Sequence, residues 1–288
     1  YIVTEALKTL PAKSTFRRCI EDVVEAWRHN PDDWREAWRV CDERWNDDVA
    51  CGDGALLPFN IDAKINGAYV VIGLLYGGGD FGRTIDISTR CGQDSDCNPA
   101  SAAGILGTAI GYDAIPSEWR TPVERSEDLK FAYTDMSLGD VYRTSFKHAL
   151  ENISRHGGTV GDTQVVIRTQ KPRPVKYEHS FGDLRPVERI QIDQRPRSGY
   201  SMEADCEGIV IRGDVSCEDK LYEARIEIEV DGRKVDTFAM PADWNRRRHE
   251  IWWRFDLKAG QHTITIHWTN PRDDAALYVR DALLLRKK

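Results

Sequence analysis

Several things are missing from this 288-residue sequence, and each absence excludes something. No apolar run approaches the roughly 18 residues that a bilayer-crossing helix needs, so no membrane-spanning helix and no membrane partner are expected. There is no excess of base. Forty Lys and Arg face 47 Asp and Glu, a net charge of −7, which argues against a general nucleic-acid binder. The seven cysteines include no C-x-x-C pair, which excludes a zinc knuckle, and their odd number leaves at least one unpaired. No Ser-His-Asp or Cys-His arrangement is recognisable. The chain opens with Tyr1-Ile2-Val3-Thr4, with neither Met nor a signal segment. It therefore reads as a processed product or fragment whose targeting address is lost. Cys206 and Cys217 flank a short strand-like run. They either pair across a hairpin in an oxidising compartment or stand as two half-buried thiols. The compartment is not fixed, with a periplasmic or secreted setting favoured over the cytoplasm.

What is present suffices for a full core: 41% hydrophobic residues and nine Trp, in a length that suits two domains. Ser14 reads as an N-cap, followed at helical spacing by Phe16, Ile20, Val23, Val24 and Trp27. After Pro31 the pattern resumes through Trp34, Trp38, Cys41 and Trp45. A third helix, about 61–76, is apolar nearly all round, as a central helix would be, and Gly77-Gly78-Gly79 ends it. An amphipathic piece, 81–89, leads to the loop Cys91-Gly92-Gln93-Asp94-Ser95-Asp96-Cys97-Asn98-Pro99. A helix of small residues follows, with Gly104, Gly107 and Gly111, which suggests that another backbone packs close to it. Pro116 and Pro122 mark its exit, and a last helix covers about 138–155, with Val141, Phe146, Ala149, Leu150 and Ile153 on one side.

From about Gln164 the period changes to two. Tyr222, Ala224, Ile226, Ile228 and Val230 alternate with charged residues, and Asp231-Gly232 signals a tight hairpin. Residues 251–255 and 263–268 read as two further strands with 258–261 as their turn, and 276–285 closes the set. Short strands with regular turns indicate an antiparallel sandwich. Lys171-Pro172-Arg173-Pro174 looks like a linker and Arg246-Arg247-Arg248 like a basic turn. The expected architecture is multidomain α and β: an all-α helical domain over 1–160 and an antiparallel β-sandwich over 161–288.

The loop before the small-residue helix carries the chemistry. Asp94 and Asp96, at i and i+2, can both turn toward one hard cation, which prefers oxygen ligands. An EF-hand beginning at Asp94 is excluded, because Pro99 stands where Gly is needed and Ile105 where Glu is needed. Helix capping by the two acids and a divalent-metal site remain as alternatives.

The run Gly92 to Asn98, then Ala102-Ala103-Gly104-Ile105-Leu106-Gly107-Thr108-Ala109-Ile110-Gly111, then Ile115-Pro116-Ser117-Glu118-Trp119, resembles the C-terminal signature of the ADP-ribosylglycohydrolase family. The stretch from Tyr69 through Asp80 resembles it as well, and the likeness spans about residues 1–120. The resemblance implies an all-helical hydrolase with magnesium (or manganese), one or two ions, in which Asp94, Asp96 and Cys97 occupy the ligand positions and Asn98 contacts substrate. It implies cleavage of an ADP-ribosyl or related glycosidic bond. The catalytic residue is not identified. Two departures stand out. Cys97 replaces a usual Thr, and sulfur is a soft, poor ligand for magnesium; Gln93 replaces a usual Gly. The acidic metal motif of the family's N-terminal half is not found, and Cys51-Gly52-Asp53-Gly54 is only superficially like its opening. The expectation is therefore that this chain supplies the C-terminal half of a metal site that an N-terminal chain or segment completes. The rival reading is a non-catalytic carbohydrate-binding protein on a degenerate hydrolase scaffold, with Trp244, Trp252, Trp253 and Trp268 as a sugar-stacking platform. Asp80, Arg90, Asn60 and Asp62 are read mainly as capping or pairing residues, and His148 and His156 as surface residues.

Overall fold

The computed structural model describes residues 1–47, 49–178, 180–246 and 248–287. Of the basic turn, Arg247 lies outside the described residues. The chain forms two compact units, one of residues 1–43 with 63–177 and one of residues 44–62 with 178–288.

The first unit is helical. Its elements are α1 (Ile2–Leu7), α2 (Thr15–His29), α3 (Trp34–Trp45), α4 (Ala63–Gly77), α5 (Phe81–Arg90), α6 (Cys97–Ile110), α7 (Ser117–Glu124) and α8 (Leu138–Arg155). Ser14 caps α2 as expected, accepting from the Arg17 N–H. α4 is the central helix and touches α2, α5 and α6. Ile65, Ala68, Tyr69, Ile72 and Tyr76 are buried along one face, and Val70, Val71, Leu74 and Leu75 on the other sides are half-buried, so no side of α4 needs to be polar. The close helix approach lies elsewhere than the small residues of α6 suggest. A Cβ on Gly77 would stand 2.1 Å from Thr84 Oγ1, and one on Gly73 2.8 Å from Ser88 Cβ, so α4 and α5 are the pair in intimate contact. Gly104 of α6 faces open space, and only Gly107 meets a neighbour, Ile115 at 3.2 Å. The exit segment folds back, with Trp119 edge-on to Phe81 at 6.0 Å between ring centroids. A two-stranded ribbon, β1 (Thr159–Val160) with β2 (Val165–Val166), also belongs to this unit. The linker-like stretch stays with it too: the Val175 N–H donates to the Thr9 carbonyl at 2.9 Å.

The second unit is the antiparallel sandwich. Its strands are β3 (Leu184–Gln194), β4 (Gly199–Cys206), β5 (Gly208–Cys217), β6 (Glu223–Val230), β7 (Arg233–Pro241), β8 (Glu250–Arg254), β9 (Gly260–Trp268) and β10 (Ala275–Lys287). They form two four-stranded sheets, in the orders β3-β10-β5-β8 and β4-β9-β6-β7. One core fills the space between them: Ile209, Ile211, Leu277, Val279 and Leu284 from the first sheet meet Ala224, Ile226, Ile228, Ile264 and Ile266 from the second. The outer face of the first sheet is covered as well, where Leu283, Leu285 and Val210 pack with Phe181, Leu184 and Ala55. β10, buried on both faces, therefore reads as an unbroken apolar run, Ala282 to Leu285.

Asp231-Gly232 makes the expected two-residue hairpin between β6 and β7, with φ of 52° and 76°, as a type I′ turn requires. The turn expected at 258–261 is different in kind. β8 belongs to one sheet and β9 to the other, so this connection crosses between layers and is no hairpin. The same holds for Cys206 and Cys217, on successive strands of different sheets at opposite ends of β5. Ten residues of strand separate them by about 30 Å at ~3.3 Å per residue, far beyond disulfide reach, and both thiols are free and buried.

Residues 44–62 join the sandwich through charge. Arg189 donates to the carbonyls of Gly52 (2.7 Å) and Ala55 (2.8 Å) and to Asp281 at 2.8 Å. Arg212 donates to the same Asp281 and, at 2.7 Å, to Asp53. The Cys51-to-Gly54 motif thus serves as a latch on the sandwich.

Candidate metal centre

The loop after α5 is shaped by two successive residues in the left-handed region, Gly92 at φ 87° and Gln93 at φ 57°. They reverse the chain within a few residues and bring Asp94 to the start of α6. Three helices then hold the loop. Trp38 of α3 donates its indole N–H to the Cys91 carbonyl at 2.8 Å. On α4, Asn66 Oδ1 accepts from the Asp94 backbone N–H at 3.1 Å and from Asn98 Nδ2 at 2.7 Å. The Asn98 N–H in turn donates to the Asp94 carbonyl at 3.0 Å. Asn66 was not among the residues singled out from sequence. Its signal is a lone amide in an otherwise apolar helix, where a polar side chain needs a partner.

Asp96 is the N-cap of α6 and accepts from the Cys97 N–H at 3.0 Å. Pro99 sits in the first turn, where its missing N–H costs nothing. Both expected carboxylates and the thiol come together: one ligand atom each from Asp94, Asp96 and Cys97 lies within 4.8 Å of the others. Among the described residues no other group of three His, Cys, Asp or Glu side chains does so. Asp94 is half-buried, and Asp96 and Cys97 are exposed. A hydrogen bond with Asp94 and nearby backbone N–H groups hold the Asp96 carboxyl below its ordinary value. A hydrogen bond to Asp94, with the charges of both carboxylates, pushes the Cys97 thiol up.

This donor set fits a hard dication in part. Two oxygens on metal bonds of about 2.1 Å stand at most ~4.2 Å apart, and the Asp94 and Asp96 oxygens lie within 4.8 Å of each other. Cys97, kept as a neutral thiol, does not suit such an ion. Asn98, expected to contact substrate, is buried, with its amide engaged by Asn66.

The other weighed residues take structural places. Asp80 caps α5, accepting from the Arg83 N–H at 2.7 Å. Arg90 pairs with Asp86 one turn back, at 2.8 Å. Trp252 and Trp268 are core residues whereas Trp244 and Trp253 are exposed, and Arg248 covers the Trp253 ring at 4.8 Å. The four therefore form no common platform.

No curated protein matches. Among solved structures, a family two carbohydrate esterase from Clostridium thermocellum is 11% identical, over 35% of this chain and 29% of its own, with a TM-score of 0.25. The CBM36-1 domain of a multidomain xylanase from the hindgut metagenome of Trinervitermes trinervoides is 13% identical, over 33% of this chain and 74% of its own, with a TM-score of 0.24. The chain thus spans under a third of the esterase. A family model described as ADP-ribosylglycohydrolase matches residues 1–159. That match takes in the loop, the small-residue helix and the exit described above, and more than half of the sequence: the chain belongs to the ADP-ribosylglycohydrolase family.

Proposed function

We propose that this family hydrolase cleaves a glycosidic bond of an ADP-ribosylated or related glycoside substrate, with Asp94 and Asp96 holding magnesium or manganese. The observation that supports this most is the convergence of the two carboxylates on a loop tied to three helices. When bound, such an ion supplies a Lewis acid for sugar hydroxyls and water. The chain's own residues supply rigidity. Asn66 fixes the Asp94 backbone, so little conformational entropy is lost when its carboxylate is engaged. Asn98 acts as a positioning residue through the same Asn66 oxygen. Cys97 donates to Asp94 and stays out of a hard ion's shell. Two carboxylates fill fewer than the six positions magnesium prefers, so water or groups beyond these residues complete the shell. In our reading those groups, and the catalytic base, come from a further segment or chain.

Isothermal titration of magnesium and manganese into the full chain tests the assignment. Binding should be measurable in the wild type and lost in both Asp94→Asn and Asp96→Asn. Unchanged affinity in the two variants would remove the metal from this loop.

A further inference from the structure

One end of the sandwich holds a cavity of about 420 Å³, within the size range of small-molecule sites. Two loops build it. The β3–β4 loop contributes Arg195, Pro196 and Arg197, and the β9–β10 loop contributes Pro271, Arg272 and Asp273. A proline in each loop restricts the backbone, so the walls are stiff.

The charges are arranged unevenly. Arg272 is satisfied, paired with Asp219 at 3.0 Å and Asp274 at 2.7 Å. Arg280, on the neighbouring strand, is paired with Asp214 at 2.7 Å. Arg195 and Arg197 make no ion pair or hydrogen bond among the described residues. Arg195 lies over the Tyr278 ring at 4.5 Å, a ring that Arg280 also approaches at 5.4 Å, and this cation–π contact leaves the Arg195 N–H donors open. Both side chains are exposed, so water screens their mutual repulsion, and one anion between them would gain from both charges. The planar donor edge of a held guanidinium matches a carboxylate or phosphate in two-point fashion. Across the cavity Asp273, also without an ion partner among the described residues, offers acceptors for hydroxyl groups.

We propose that this cavity binds a small hydroxylated anion, an acidic sugar whose carboxylate or phosphate sits on Arg195 and Arg197 while its hydroxyls reach Asp273. The site is built from residues of the second unit alone and does not depend on the hydrolase reading.

Isothermal titration into the full chain at low salt tests it, with glucuronate, glucose 1-phosphate, inorganic phosphate and neutral glucose as probes. Glucuronate or glucose 1-phosphate should bind, and the stronger of the two names the source of the anion. Glucose should bind at least tenfold more weakly. The double variant Arg195→Gln, Arg197→Gln should lose the binding, with an unchanged thermal midpoint because both side chains are exposed. Arg195→Lys should weaken it several-fold, since a point charge lacks the fork. Asp94→Asn should leave it intact. Glucose binding as well as the acidic sugars, inorganic phosphate alone binding, no probe binding, or full retention in the double variant would each overturn the proposal.

Discussion

At Gln93 a side chain occupies left-handed backbone, where a Cβ is crowded by the neighbouring carbonyl. The resemblance seen in the sequence implies Gly at this place, and the positive φ gives a physical reason for it. Gln93→Gly should stabilise the chain by about 1 kcal/mol, read as a higher denaturation midpoint; a drop would show that the Gln side chain holds the loop. Cys97 is the other departure. Replacing its thiol by a hydroxyl, in Cys97→Thr, gives a hard ion an oxygen donor. Magnesium affinity should rise about fivefold, on the order of 1 kcal/mol by titration. An unchanged affinity would show that position 97 lies outside the shell. Asp94, Asp96 and Cys97 were legible in the sequence because their spacing is local. Asn66 was not, because it meets Asp94 and Asn98 across 28 and 32 residues of chain.

Among elements, the α4–α5 contact depends on having no side chain at Gly77. Gly77→Ala would push a methyl into Thr84 and should cost about 1–3 kcal/mol in thermal or chemical denaturation, despite the better helix propensity of Ala. The sequence pointed to α6 for such a contact because Gly is frequent there. Composition reports small residues but not which face meets a neighbour. The sandwich strands not recognised in advance, β3, β4 and β7, are all sheet edges. β3 carries Pro186 and several charges, β7 is exposed along most of its length, and the inward residues of β4 are Met202, Ala204 and Cys206. Edges are blunted in these ways, so the alternation that identifies β6 is faint there.

The β6–β7 turn is also tied by a titrating pair. His262 Nδ1 meets Asp231 at 2.8 Å and Nε2 meets the Lys258 carbonyl at 2.7 Å. The hydrogen bond to Asp231, then that to Lys258, raises the imidazole above its usual value, and His262 lowers Asp231. The His262 contribution is full below about pH 6.5 and is lost as pH rises through the raised value. The Asp231 contribution is present above about pH 4 and is lost as pH falls through the lowered value. The midpoint difference between wild type and His262→Gln should therefore be largest near pH 5–6 and shrink toward pH 9. A difference constant with pH would refute the pairing.

For the whole molecule, the two classes of structure were readable because helical and two-residue periods do not overlap. The grouping of 44–62 with the sheets was not, since it rests on Arg189 and Arg212, which Asp281 braces and which lie more than 130 residues from the Gly52 and Ala55 carbonyls and the Asp53 carboxylate that accept from them. Arg189 and Asp281 are almost wholly enclosed, with 5% and 2% of their side chains exposed. Asp281→Ala would remove the buried counter-charge that two guanidinium groups share, leaving Arg189 only its carbonyls and Arg212 only Asp53, and should cost roughly 3–5 kcal/mol by chemical denaturation. A loss below ~1 kcal/mol would show that the cluster is dispensable.

The latch made by Gly52, Asp53 and Ala55 has a consequence for dissection. No single cut of the gene releases the sandwich intact, because part of its covering is encoded over a hundred codons upstream. A fragment starting after the helices would bare Phe181, Leu184 and Leu285 where Ala55 belongs, together with Arg189 robbed of its two carbonyls and Arg212 of the Asp53 carboxylate. Grafting this module with its outer covering intact therefore requires two pieces of chain.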